Sequence, residues 1–141
     1  MTSAQYKLAT SKLNTRLFIP YQRDGVEWML GMENQTMGPK GGFLCDEMGL
    51  GKTVQLISTL LGNPKQRTLI IVPKSIIAQW VEEINHFAPS LFVRVFDGPG
   101  RELDWELLDS PEKCSVTIAP YSLVSAKSEL HNPRWDRVIL D

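Results

Sequence analysis

The most informative stretch of this chain is Asp46-Glu47-Met48-Gly49-Leu50-Gly51-Lys52-Thr53. It follows the short apolar run Phe43-Leu44-Cys45 and precedes an apolar helical pattern from Val54 to Leu61. A strand, a turn that contains glycine, the sequence Gly-Lys-Thr and a helix together are the context of a phosphate-binding loop. The stretch therefore predicts that this chain binds a nucleotide.

The residue types in this loop suit phosphate chemistry. Gly49 and Gly51 let successive backbone N–H groups point at one anion, and the helix predicted to start near Lys52 adds unpaired N–H groups. Lys52 can reach the β- and γ-phosphates, and the hydroxyl of Thr53 can bind Mg²⁺. The usual pattern G-x-x-x-x-G-K-[ST] is met except at its first glycine, where Asp46 stands.

Composition limits the class of protein. The chain has 141 residues, of which 43% are hydrophobic, so it is one domain or less with enough apolar material for a core. The formal net charge is −1, which provides no global basic field, although a local groove can still be positive. No apolar run is long enough to span a membrane, and the N-terminus lacks a signal-peptide core.

Apolar runs alternate with helical patterns, and no hairpin signal joins them. This alternation predicts an α/β fold with a parallel sheet of about five strands. In open sheets of this kind, ligands bind beyond the carboxyl ends of the strands. The predicted strands are Phe43–Cys45, Thr68–Val72, Leu91–Phe96, Cys114–Ala119 and Arg137–Asp141.

The helix that follows Pro20 carries a stripe formed by Gln22, Val26, Met29 and Leu30. Gln22 is its polar member. It is either a helix-start glutamine that bonds backbone, or a residue whose amide pairs with the edge of an adenine. Gly25 lies in the middle of this helix, where glycine costs roughly 1 kcal/mol relative to alanine. We therefore expect another group to pack closely against Gly25.

Asp141 ends the last predicted strand. A hydrophobic strand that ends in aspartate, downstream of a phosphate loop, predicts a Mg²⁺ ligand opposite Thr53. The residue that would orient the attacking water does not occur in this sequence, so we expect the chain alone not to be competent for turnover. Trp80 lies on the inward stripe of the helix after Ser75, and we interpret it as a core residue rather than a base-stacking platform.

Five segments of the chain, in this order, resemble the motifs of Swi/Snf-type DNA-dependent ATPases of helicase superfamily two. The resemblance covers Phe18 to Asp141 and leaves residues 1–17 as a tail or linker. The first two segments are Pro20–Met29 and Cys45–Gln55. The third is Ile71–Ser75, together with Gln79, Trp80 and Glu83. The fourth is Phe96–Gly98 with Arg101, and the fifth is Trp135–Asp141.

The resemblance implies that residues 18–141 form the first of two RecA-like lobes, incomplete after the Walker B strand. It implies that ATP and Mg²⁺ are the cofactors, that Gln22 recognises adenine, and that Lys52 and Asp141 are catalytic. It also implies that the second lobe lies outside this sequence.

The family acts on double-stranded DNA and on nucleosomes, which implies location in the nucleus, although a viral or bacterial origin would change that location. The resemblance puts Lys74, Ser75 and Tyr121 near the DNA backbone. One departure weakens the last contact. Ala119-Pro120 replaces two threonines that commonly precede the tyrosine, and proline has no N–H for a phosphate.

Three functions remain open at this point. The leading hypothesis is the first lobe of an ATP-driven DNA translocase of the chromatin-remodelling or DNA-repair type. An RNA helicase of the D-E-A-D type is disfavoured by Asp46-Glu47-Met48, because those enzymes usually carry A-x-T-G-S-G-K-T. A non-catalytic, nucleotide-gated binding module is the third.

Overall fold

The computed structural model describes residues 4–13, 21–38, 40–44 and 52–141. The chain divides into two compact units. The first comprises Met1–Pro64 with His86–Ala88 and is helical in its described part. The second comprises Lys65–Asn85 with Pro89–Asp141 and contains a parallel sheet.

The first unit contains helices α1 (Ala4–Lys12), α2 (Tyr21–Glu33) and α3 (Lys52–Gly62). The stripe predicted on α2 is confirmed, because all four of its residues are buried. Helix α3 is buried on more than one side, as its apolar composition predicted. Its buried hydroxyls at Ser58 and Thr59 donate to the carbonyls of Val54 and Gln55 at 2.7 and 3.1 Å, so these polar groups are satisfied inside the helix.

Helix α1 lies in the segment that we expected to be a tail or linker. Its residues Tyr6 and Ala9 are buried, and Tyr6 belongs to an apolar cluster with Val26 and Leu30 of α2. The spacing of three residues between Tyr6 and Ala9 is helical, but one small and one amphipathic side chain give a weak signal among polar neighbours. Part of this segment is therefore packed helix, whereas the boundary of the domain stays a prediction.

Amide side chains join α1 to the ends of the other two helices. The Nε2 atom of Gln5 donates to Oδ1 of Asn63 at 3.3 Å, and Nδ2 of Asn34 donates to Oε1 of Gln5 at 2.5 Å. The Nδ2 atom of Asn63 donates in turn to Glu33 at 3.0 Å. These bonds fix α1 relative to the carboxyl ends of α2 and α3.

Two glycines allow the helices of this unit to approach closely. A Cβ atom at Gly25 would overlap the side-chain amide of Gln55, which confirms the close packing that we expected there. A Cβ atom at Gly62 would lie 2.7 Å from the backbone oxygen of Gln5 and 3.1 Å from Cβ of Ala9. Helices α1 and α3 can therefore meet only because position 62 has no side chain.

The second unit contains four parallel strands, helix α5 (Trp105–Leu108) and helix α4 (Ile77–Phe87) as far as Asn85. The strands are β1 (Arg67–Val72), β2 (Phe92–Val95), β3 (Ser115–Pro120) and β4 (Arg137–Leu140), in the spatial order β2-β3-β1-β4. All three pairings are parallel, which confirms the predicted α/β arrangement. None of the helices within the described ranges has the length and apolar character needed to cross a membrane.

The strand predicted at Phe43–Cys45 is not observed where the structure describes it. Phe43 and Leu44 have irregular backbone, Phe43 is 89% exposed, and Cys45 lies outside the described residues. An apolar run becomes a strand only when a neighbour accepts its hydrogen bonds, and none of the four strands pairs with residues 43–44. The described sheet therefore has four strands rather than about five.

One face of the sheet covers the apolar core of the second unit. Leu69 and Ile71 of β1 pack there with Ala119 of β3, against a group formed by Phe96, Leu103, Leu108 and Leu130. Asp104 caps α5 by accepting the N–H of Leu107 at 3.1 Å. This bond and a second one from Arg94 lower the pKa of Asp104.

Strand β4 is the edge of the described sheet next to β1. Val138 and Leu140 are in register with Leu69 and Ile71, so they extend the same apolar face. They are nevertheless 52% and 65% exposed. Strand β4 therefore presents apolar side chains at an exposed edge of the described sheet.

The substitution Gly62→Ala should destabilise the packing of α1 on α3. We expect the free energy of unfolding to fall by about 1–3 kcal/mol, because the methyl group would meet backbone rather than a flexible side chain. Denaturant unfolding followed by far-ultraviolet circular dichroism measures this change.

Gly31→Ala is the matched control, because an added Cβ on α2 meets no atom within 4 Å. There the same change should leave stability unchanged or raise it by up to about 1 kcal/mol. Equal losses in the two variants would contradict the close approach at Gly62.

Candidate nucleotide-binding site

The predicted phosphate loop is described only at its carboxyl end. Asp46, Glu47, Met48, Gly49, Leu50 and Gly51 lie outside the described residues. Lys52 and Thr53 are the first two residues of α3, which confirms the helix start predicted there. The first N–H groups of a helix have no intrahelical acceptor, so α3 directs donors and the positive end of its dipole towards its start. This is the geometry that binds an anion.

Gln22 lies in the first turn of α2, in the same unit as Lys52. It is only 3% exposed, so its amide is an interior group of the helical unit rather than a surface group. Burial agrees with both roles considered for this residue. Recognition of adenine by Gln22 therefore stays a prediction.

The second unit collects the other predicted site residues at one edge of its sheet. Because β1, β3 and β4 are parallel, the residues that follow them lie at the same edge. Lys74 and Ser75 follow β1 in a 3₁₀ turn, Tyr121 follows β3 in a second one, and Asp141 follows β4. The sheet thus brings together residues that are far apart in the chain.

Asp141 forms three hydrogen bonds, each with a different element of the second unit. Its backbone N–H donates to the carbonyl of Ile71 at 3.0 Å, which continues the pairing of β4 with β1. Its backbone oxygen accepts from the hydroxyl of Tyr121 at 2.8 Å. Its carboxylate oxygen Oδ2 accepts from the indole N–H of Trp80 at 2.9 Å. Both the backbone and the carboxylate of Asp141 are therefore oriented by the fold.

Trp80 is 2% exposed, which confirms that it is a core residue of α4. The sequence interpretation missed its contact with Asp141. The predicted burial of Trp80 could have indicated such a contact, because a buried indole N–H usually donates to an acceptor. Trp80 also follows β1 closely enough to lie near the carboxyl edge of the sheet.

The residues predicted to face DNA are on the surface at this edge. The side chain of Lys74 is 72% exposed, and its ammonium lies 3.7 Å from the carboxylate of Asp97. Ser75 is exposed, and the ring of Tyr121 is exposed although its hydroxyl bonds Asp141. Their contacts with DNA stay predictions. Ala119 and Pro120 are buried at the end of β3.

The side chains predicted to hold Mg²⁺ have suitable chemistry. The hydroxyl of Thr53 and the carboxylate of Asp141 are hard oxygen donors, which Mg²⁺ prefers. Mg²⁺ is usually bound by one or two carboxylates together with water and substrate phosphates. In the described part of the chain no group of three or more His, Cys, Asp or Glu residues could hold a metal. The binding of Mg²⁺ by Thr53 and Asp141 stays a prediction.

Similarity to known sequences extends over most of the chain. A family model for the SNF2-related domain matches residues 21–141. The ATP-dependent helicase rhp16 of Schizosaccharomyces pombe is 35% identical over 140 residues, which cover 87% of this chain and 16% of that protein. The ISWI chromatin-remodeling complex ATPase ISW1 of Saccharomyces cerevisiae is 32% identical over 145 residues, covering 97% of this chain and 12% of that protein. The chain thus spans less than a fifth of these relatives.

The fold is similar to that of a solved member of the same group. The SWI2/SNF2 ATPase core of Sulfolobus solfataricus, solved in complex with double-stranded DNA, superposes with a TM-score of 0.73 at 28% sequence identity. The match covers 92% of this chain and 26% of that core. It confirms the RecA-like α/β lobe predicted from the sequence. With the family model matched from residue 21 to residue 141, this chain belongs to the SNF2-related domain family.

Proposed function

We propose that the natural protein containing this chain is an ATP hydrolase that depends on double-stranded DNA and moves along it. This chain would form most of the first RecA-like lobe of that enzyme. The observation that carries the proposal is the fixed carboxylate of Asp141 at the carboxyl edge of a parallel sheet, in a chain that belongs to the SNF2-related domain family.

The start of α3 would bind the phosphates of ATP. Lys52 supplies a positive charge in the first turn, and the free N–H groups of that turn supply donors. Thr53 and Asp141 would be the protein ligands of Mg²⁺, which neutralises phosphate charge when it is bound. Gln22 would recognise the adenine through the paired donor and acceptor of its amide.

The carboxyl edge of the sheet would face DNA. Lys74 and Ser75 are exposed after β1, and Tyr121 is exposed after β3. The ammonium of Lys74 and the hydroxyl of Ser75 are groups that contact phosphates without reading base sequence. The hydroxyl proton of Tyr121 is donated to Asp141 in this structure, so any DNA contact of Tyr121 would use its exposed ring. Such contacts suit an enzyme that moves along DNA of any sequence.

The relatives indicate the range of possible substrates. One is named as a chromatin-remodeling ATPase, and others are named as DNA excision repair proteins. We therefore propose protein–DNA complexes, including nucleosomes, as the substrate class. A nuclear location stays a prediction, because the similar solved core comes from the archaeon Sulfolobus solfataricus.

The ATPase rate of the natural protein should rise when double-stranded DNA is added. The expected cause is that DNA contacts align the parts of the ATP site. A coupled-enzyme assay with and without DNA, and with RNA of equal length, measures this effect. An equal rate with and without DNA would contradict translocation, and a stronger response to RNA would favour an RNA helicase. Nucleotide binding without hydrolysis would favour a non-catalytic module.

Lys52→Ala should weaken ATP binding by about 10- to 100-fold, because a hydrogen bond from a charged donor to phosphate is lost. Isothermal titration with a non-hydrolysable ATP analogue measures the affinity. Lys7→Ala is the matched control, because Lys7 is an exposed lysine on α1. Unchanged affinity in the Lys52 variant would refute the phosphate site.

Gln22→Ala should reduce the preference for ATP over GTP, because the amide that distinguishes the two base edges is removed. The measurement is the ratio of the two dissociation constants. Loss of stability lowers both affinities and leaves this ratio unchanged, so the ratio reports on recognition alone. Gln79→Ala, which removes an exposed glutamine of α4, should retain the preference. An unchanged ratio of the ATP and GTP dissociation constants in the Gln22 variant would contradict adenine recognition and would assign this residue a structural role.

A further inference from the structure

We propose that Trp80 is a positioning residue for Asp141, and that its indole N–H sets the orientation in which the carboxylate binds Mg²⁺ with the nucleotide. The inference rests on the metal role given to Asp141 above. The contact that carries it is the 2.9 Å hydrogen bond from Nε1 of Trp80 to Oδ2 of Asp141. Within the described ranges no donor contacts the other oxygen, Oδ1, so Oδ1 remains available for a cation.

Trp80 can hold the carboxylate in place because it is itself immobilised. Its side chain is buried on the inward stripe of α4, together with Ile77 and Ile84. A tightly packed indole has few accessible rotamers, so its N–H points in one direction. A hydrogen bond to an ionised carboxylate is also stronger than one between neutral groups.

The backbone of Asp141 is fixed from two other directions. Its N–H bonds Ile71 of β1, and its backbone oxygen bonds the hydroxyl of Tyr121. The side-chain bond from Trp80 therefore acts on a residue whose main chain already has a defined position. Three elements, namely α4, β1 and the turn after β3, converge on this residue.

The donor from Trp80 is neutral, and this matters for metal binding. Arg67–Asp109, Lys74–Asp97 and Arg94–Asp104 are ion pairs of the second unit, and none of them includes Asp141. A lysine or arginine at the same place would orient the carboxylate but would also neutralise it and compete with a cation. An indole N–H orients the group and leaves its negative charge for Mg²⁺.

The test measures metal affinity in the natural protein rather than turnover. Mn²⁺ replaces Mg²⁺ in the presence of a non-hydrolysable ATP analogue, and electron paramagnetic resonance reports free Mn²⁺. Trp80→Phe retains an aromatic ring but removes the N–H, and we expect about a tenfold loss of Mn²⁺ affinity, as is typical for groups that orient a metal ligand. Unchanged affinity would overturn the proposal.

Trp135→Phe is the matched control. Its indole N–H also donates to an oxygen, the carbonyl of Leu130 at 2.7 Å, and it is part-buried in the same unit. This variant loses an equivalent bond away from Asp141, so Mn²⁺ affinity should not change. An equal loss of Mn²⁺ affinity in both variants would show a general effect of weakened packing and would overturn the proposal.

A double-variant cycle tests whether Trp80 acts through Asp141. In an Asp141→Ala background, Trp80→Phe should cause no further loss of Mn²⁺ affinity, because the acceptor is already absent. A further tenfold loss there would refute the positioning role. If Asp141→Ala alone leaves Mn²⁺ affinity unchanged, the proposed metal role fails and the inference fails with it. If Asp141→Ala weakens binding but Trp80→Phe does not, only the inference fails.

If the Trp80→Phe variant does not fold, an amino-acid analogue of the same size as tryptophan can be used instead. Benzothienylalanine at position 80 keeps the shape of the bicyclic ring and replaces its N–H by sulfur. The same tenfold loss is expected, because only the donor has been removed. Wild-type affinity with this analogue would overturn the proposal.

Discussion

Strand β1 is hydrogen-bonded on both sides, to β3 and to β4, and the second unit depends on this double pairing. A strand in this position needs apolar residues on both faces, and all residues of β1 after Arg67 are buried. Because all three strands run in the same direction, their carboxyl ends lie at the same edge of the sheet. The residues that follow these strands are therefore close together at one edge of the sheet.

The chemistry of that edge follows from how polar groups are satisfied near an apolar core. The buried indole of Trp80 requires an acceptor, and the carboxylate of Asp141 supplies one. The same bond removes a rotational freedom from the carboxylate without changing its charge. One contact thus satisfies a buried donor and also orients a group that suits a cation, which links the packing of α4 to the proposed nucleotide chemistry.

The helical unit reaches its packing by a different route. Helix α3 is buried almost throughout, so its neighbours must approach it closely, and this is possible where Gly25 and Gly62 present bare backbone. Its buried hydroxyls bond the helix backbone, and the amides of Gln5, Asn34 and Asn63 bond one another across helix ends. Because α3 is well packed, the backbone of its first two residues, Lys52 and Thr53, is held in a defined position. This supports their proposed role with phosphate.

The sequence by itself determined the α/β class, the parallel strands, the buried face of α2, the start of α3 and the family. Each of these depends on local periodicity, on short motifs or on the order of motifs, which are properties of neighbouring residues. One expectation based on local pattern is wrong for the described residues, because Phe43 and Leu44 are apolar but have no strand partner in the described sheet. The weakly patterned segment before Phe18 contains helix α1, which is buried by contact with α2.

Only the tertiary structure decided which groups meet. Trp80 and Asp141 are separated by 61 positions, and no periodicity connects them. They meet because β4 pairs beside β1, so that the residue after β4 lies next to the helix that follows β1. A sequence pattern shows that an indole will be buried and that an aspartate will end a strand. The acceptor of that indole is selected by the order of the strands, which non-local hydrogen bonds determine.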